Sequence, residues 1–118
     1  MNTATVIAIS IVILLQCTFM ILEMFLWKTP GGRKIFGISK DFAEQSATLA
    51  ANQGLYNGFL AAGLLWGLLS TGGFDALLFF LSCIIIAGLY GAITASTMIL
   101  FLQALPAAVA MTLLLLNN

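Results

Sequence analysis

The sequence predicts an all-α fold, an integral membrane four-helix bundle, and three observations carry that prediction. The first is composition: 62% of the 118 residues are hydrophobic and 7% charged, with a mean hydropathy of +1.13. Soluble domains run at about 45–50% apolar and about 25% charged. A chain this short buries only about two-thirds of its surface, so it has nowhere to hide that much apolar side chain from water. The second observation is a set of four apolar runs, each near the roughly 20 helical residues needed to cross a hydrocarbon core of about 30 Å. The third is that all four basic residues, Lys28, Arg33, Lys34 and Lys40, fall in one connector.

These observations exclude a soluble enzyme, a nucleic-acid binder and a disordered tail. The formal charge of zero offers no field to attract nucleic acid. The absence of histidine removes the commonest metal ligand and near-neutral proton carrier, so no metal and no cofactor is expected. Cys17 and Cys83 both lie inside apolar runs and read as buried small hydrophobes.

A single domain, 1–118, is expected to hold four spans. The first runs from about Thr5 to Trp27 and is stopped by Thr29-Pro30-Gly31-Gly32. Met1-Asn2-Thr3 carries no positive charge and the run is too long for a signal core, so it is expected to remain as a span. The second covers about Thr48 to Leu69. Asp41 followed by Glu44 has the spacing of a capping box, which starts this helix near Phe42, before the membrane. Thr71-Gly72-Gly73 ends it, with Asp75 placed to cap the third span, about Ala76 to Thr94. A break at Thr94-Ala95-Ser96-Thr97 precedes the fourth, about Thr97 to Leu116, because about 40 continuous helical residues would far exceed a bilayer. By the positive-inside rule the basic connector is cytoplasmic and both termini face outward, with Trp27 as an interfacial anchor. Topology by itself explains the Arg33-Lys34 pair, with a specific phosphate site there as the alternative reading.

Polar side chains inside a span are costly and tend to face the bundle interior, where they mark function. Glu23 lies four residues before Trp27. On the second helix Gln45, Thr48, Asn52 and Tyr56 follow one stripe and Ser46, Gln53 and Asn57 an adjacent one. With the expected topology, Glu23, Asn52, Gln53, Tyr56, Asn57, Tyr90 and Gln103 occupy the cytoplasmic half of their spans and predict a substrate-binding pocket opening inward. Glu23 is the candidate proton carrier, held by amide and phenol partners, with Gln16 extending the polar seam two turns earlier. Pro106 frees a carbonyl near Leu102, which Gln103 could satisfy, and kinks the last helix. Gly54-x-x-x-Gly58 opens a small-residue face, and Cys83, Ala87, Gly91 and Ala95 form a ladder at spacings of four, so these two faces are expected packing partners.

The segments Leu22-Glu23-Met24-Phe25-Leu26-Trp27 and 51–64, with Gly88-Leu89-Tyr90-Gly91 and Gln103-Ala104-Leu105-Pro106-Ala107, resemble the domain of unknown function 1304 family. That resemblance covers essentially the whole chain. It implies a small, multi-pass protein of a bacterial cell (inner) membrane, and no established activity comes with it. Similar proteins often carry a histidine near position 16, where this chain has Gln16, so a histidine-dependent activity is not implied.

Three functions remain open on these residues. The leading expectation is binding or transport of a small or lipidic molecule, with Glu23 coupling a proton to its movement. The second is a membrane enzyme acting on a lipid-soluble substrate, with Glu23, Tyr56 and Tyr90 as acid-base groups; its plan is similar to the membrane glutathione and eicosanoid enzymes, but no span carries their arginines. The third is a structural or accessory protein. The lipid bilayer is the expected partner in each, nucleic acid in none, and a second copy could pack through Gly54/Gly58 or Ala87/Gly91.

Overall fold

The computed structural model describes residues 1–95 and 97–117, which are all-α with no strand among them. The helices are α1 (Thr3–Met24), α2 (Pro30–Phe36), α3 (Lys40–Leu69), α4 (Phe74–Thr94) and α5 (Leu105–Leu116), the last preceded by a π-helical segment, Leu100–Ala104. Two of them, α1 and α4, are long and apolar enough to cross a membrane. Only 22% of the most apolar window of each is buried, the reverse of a helix at the centre of a water-soluble core. At 30 residues α3 is longer still, but Asn52, Gln53 and Asn57 interrupt its apolar run.

The chain forms two compact units, one of Met1–Leu15 with Leu60–Asn118 and one of Gln16–Phe59. In the first, a single core draws Ile9 and Val12 from α1, Leu64 from α3, Leu77, Leu81 and Ile84 from α4, and Ala107, Ala110 and Leu114 from α5. Buried positions alternate in steps of three and four along each helix, which keeps one face turned to the neighbours. That face is no more apolar than the outward one, where Ile11, Leu14, Phe79, Ile86 and Ile93 stand exposed, Ile93 at 84%. The inward face differs in being small.

Glycines set the close approaches of this unit. A Cβ on Gly63 would lie 2.5 Å from the Phe80 ring, and one on Gly67 2.8 Å from Leu77 Cδ2. On α4 the inward glycine is Gly88, where a Cβ would stand 2.7 Å from the Ala104 backbone nitrogen. The ladder Cys83, Ala87, Gly91, Ala95 is therefore not the packing face: Ala87 and Ala95 are exposed, and Leu77, Leu81, Ile84 and Gly88 point inward. Steps of exactly four drift around a helix of 3.6 residues per turn, whereas alternating four and three hold a face.

The helix ends depart from the sequence expectation in ways that local geometry explains. Asn2 caps α1, its Oδ1 accepting from the Thr5 N–H at 2.9 Å. Pro30 does not merely stop α1, which ends at Met24; it opens α2, because a residue without an N–H fits the first turn of a helix. Thr29 caps α2, its Oγ1 accepting from the Gly32 N–H at 3.1 Å. Gly37 ends α2 in the left-handed conformation (φ 65°). Thr29→Ala is expected to remove roughly 1 kcal/mol from the α2 turn. Amide exchange should then rise over residues 30–36 and stay unchanged in α4.

The start of α3 corrects the capping box. Ser39 is the cap, with its Oγ accepting from the Phe42 N–H at 3.1 Å and its carbonyl from the Ala43 N–H at 3.0 Å. Asp41 is already inside the first turn. Asp75 likewise sits within the first turn of α4, and Gly73 occupies the cap position with no side-chain bond. Helical structure stops at Thr94 and resumes at Met98; Ser96 of the expected break lies outside the described residues. The last helix carries its irregularity ahead of Pro106: the Leu105 N–H returns to the Leu100 carbonyl, a step of five that widens the turn.

The second unit is a hairpin of 16–24 of α1 and 40–59 of α3, closed by α2. Gly54 and Gly58 receive α1, not α4. A Cβ on Gly54 would lie 2.7 Å from Met24 Cγ and 3.1 Å from the Met20 carbonyl oxygen, and one on Gly58 2.6 Å from Met20 Sδ. The small-residue face is thus taken up within the chain.

Candidate functional site

Where α1 and α3 approach so closely, Glu23 and Asn57 meet. Gly54 sits one turn before Asn57, and its missing side chain brings α1 near enough for the pairing. The Asn57 Nδ2–H donates to Glu23 Oε1 at 2.5 Å. Asn57 is 3% exposed and Glu23 half-buried. An amide N–H can serve a carboxylate oxygen or the carbonyl oxygen of a neutral carboxyl, so this contact tolerates either form of Glu23. The second carboxylate oxygen has no partner among the described residues. That combination, a buried donor fixing one oxygen and a second oxygen left free, can hold a proton or accept from a hydrogen-bonding ligand.

Gln16 lies two turns earlier on α1 and is 1% exposed, and its Oε1 has no hydrogen-bond partner. A buried acceptor left without a donor costs about 1–3 kcal/mol.

Of the other sequence-predicted positions, Asn52, Gln53 and Tyr56 share this unit and make no hydrogen bond to the pair among the described residues. Asn52, Gln53 and Tyr56 are exposed on α3, with the Tyr56 and Phe59 rings 6.2 Å apart on that surface. Tyr90 and Gln103 belong to the first unit. Tyr90 is exposed and Gln103 half-buried, and the Gln103 side chain makes no hydrogen bond among the described residues. The Leu102 carbonyl expected to engage it lies within the π-helical segment.

Two cavities also belong to the first unit. One of about 180 Å³ lies at the α3–α4 turn beside Ser70, Gly72, Phe74 and Leu114. The other, about 240 Å³ and wholly apolar, lies between α4 and the π-helical segment beside Ile85, Leu89, Phe101 and Leu105. Neither is lined by a sequence-predicted site residue. Among the described residues no three His, Cys, Asp or Glu side chains gather as a metal site. Cys17 and Cys83 are free thiols, half-buried where full burial was expected.

Sequence reasoning missed two polar contacts. Thr5, fully buried, donates to Asn2 Oδ1 at 2.7 Å, and the Asn-x-x-Thr spacing at the helix start was the available signal. Trp27 donates from Nε1 to Ser46 Oγ at 3.0 Å while its ring packs at a tilt against Phe36, centroids 4.8 Å apart, so it ties the connector to α3. No local spacing announces that contact, because the two residues meet only when the hairpin closes.

No solved structure matches this chain. It is similar to the uncharacterized protein YpaA of Lactococcus lactis subsp. lactis (strain IL1403), at 30% identity over 105 residues that cover 86% of this chain and 88% of that protein. The family described as "Protein of unknown function (DUF1304)" matches residues 10–115, nearly the whole fold including the Glu23–Asn57 pair, and the chain belongs to that family.

Proposed function

We propose that this chain is a four-span integral membrane protein that binds or transports a small or lipidic molecule at the Glu23–Asn57 pair. The outward-facing apolar surface of α1 and α4 supports the membrane reading, since soluble monomers seldom leave such large contiguous apolar patches facing water. The confinement of Lys28, Arg33, Lys34 and Lys40 to one connector supports a cytoplasmic placement of that end, with both termini outside. The observation that carries the functional reading is the Asn57–Glu23 hydrogen bond. An acidic residue costs about 2.5–3.5 kcal/mol at the centre of a span and less toward its end, where Glu23 lies, and intramembrane acidic groups usually mark pathways or proton relays.

A structural reading has one observation in its favour. Glu23 and Asn57 sit where Gly54 and Gly58 bring two helices of one chain together, so the same bond could serve only to lock α1 to α3.

Native mass spectrometry of gently extracted protein, wild type beside Glu23→Gln, separates the two readings. The proposal expects a bound species of defined mass in the wild type that is depleted in the variant. Adduct-free spectra of both forms, at one oligomeric state, would leave the pair a structural lock.

A further inference from the structure

We propose that the connector around α2 is a docking surface for the phosphate headgroups of anionic phospholipids. This rests on the membrane reading above and is independent of the Glu23–Asn57 site. Three observations within the second unit converge on it.

The first is how α2 is held. Gly32 is buried, packed so closely that a Cβ there would collide with the Leu26 carbonyl, and Phe36 one turn later packs against the Trp27 ring at a tilt. With the Gly32–Phe36 side of this short helix turned inward, Lys34 and Ile35 stand outward, Ile35 at 65% exposure. The second is the company they keep. Phe25, Leu26 and Phe42 are exposed beside Lys28, Lys34 and Lys40, the mixture of apolar side chains and cations that suits the boundary between headgroups and acyl chains.

The third is that the charges are unspent. None of the four cations is held in an ion pair among the described residues, although Asp41 and Glu44 are exposed on the first turns of α3. Arg33 is half-buried, with its Nε enclosed and without an acceptor, so only the remaining guanidinium donors are left to meet an anion. A guanidinium presents a planar fork of donors that matches phosphate oxygens. Four cations against two carboxylates make the surface net positive, and an anionic headgroup is the complement in both charge and hydrogen-bonding capacity.

The test places full-length protein in nanodiscs of phosphatidylcholine and phosphatidylglycerol in equal parts, and reads co-retained lipid by native mass spectrometry. The wild type is expected to retain phosphatidylglycerol above its bulk share. Lys28→Gln/Lys34→Gln, two exposed positions remote from the packing, should lower that preference about fivefold for each cation removed. Arg33→Gln should lower it as well, while Arg33→Lys, which keeps charge but loses the fork, recovers only part. Retention of the two lipids in their bulk ratio by the wild type overturns the proposal, as does an unchanged preference in both glutamine variants. Protein that fails to enter nanodiscs and stays in the aqueous fraction sinks the membrane reading instead.

Discussion

Gly88→Leu is expected to prevent the first unit from folding, and Gly88→Ala to destabilise it measurably. An added Cβ at Gly88 stands 2.7 Å from the Ala104 nitrogen and 2.8 Å from its Cβ. These are main-chain and short side-chain atoms that cannot swing aside, so α4 must move away from the π-helical segment. Overpacking of this kind costs about 1–3 kcal/mol for a small increment, against which Ala gains roughly 1 kcal/mol of helix propensity. The net expectation for Gly88→Ala is a loss of about 1 kcal/mol, seen as a lower melting temperature in detergent. Gly91→Ala is the matched control. Its new Cβ would meet Ile99 Cγ2 at 3.0 Å, a contact that a shift of a few tenths of an ångström relieves, so most of the propensity gain survives and stability holds or rises. Equal behaviour of the two alanine variants would show that the Gly88–Ala104 approach is not what holds α4.

Asn57→Leu is expected to cost more than the loss of one side chain, because it leaves Glu23 Oε1 without its donor. Hydrogen bonds to charged groups contribute about 1.5–3 kcal/mol in water-soluble proteins. Within bilayers the measured coupling of polar pairs averages roughly 0.6 kcal/mol with a ceiling near 1.7, since a chain unfolded in lipid finds other partners. On the proposed membrane placement the smaller range applies, and a coupling of about 1 kcal/mol is expected between Asn57→Leu and Glu23→Met. The double variant should therefore be more stable than the sum of the two single losses predicts. Additive losses, measured as unfolding in mixed detergent micelles, would mean that the 2.5 Å contact contributes nothing to stability.

Much of the fold is local enough to be read along the chain. The apolar lengths of α1 and α4 place those helices within a few residues, and the glycines at 72 and 73 mark the turn between α3 and α4, where Gly72 adopts φ 72°. The Glu23–Asn57 partnership was also anticipated in kind, since few polar side chains interrupt these runs and each needs a donor or acceptor. The caps were the harder part. Ser39 and Gly73 each lie two residues before the acidic residue, Asp41 or Asp75, and a carboxylate inside the first turn has the same composition signal as one at the cap.

What the sequence by itself determined is therefore class and charge placement: an all-α chain with more apolar surface than it can bury, and every cation in one connector. These follow from composition and from a period that repeats within a single helix. Tertiary structure alone decided which small residues face which neighbour. Gly54 and Gly58 took α1, Gly88 took the segment before α5, and Asn57 found Glu23 while Asn52 and Gln53 one turn away stayed exposed. The reason is physical: in helices apolar on all sides, hydrophobicity no longer distinguishes inside from outside. Register is then set by steric fit between backbones, and steric fit is a property of two helices together, not of either sequence alone.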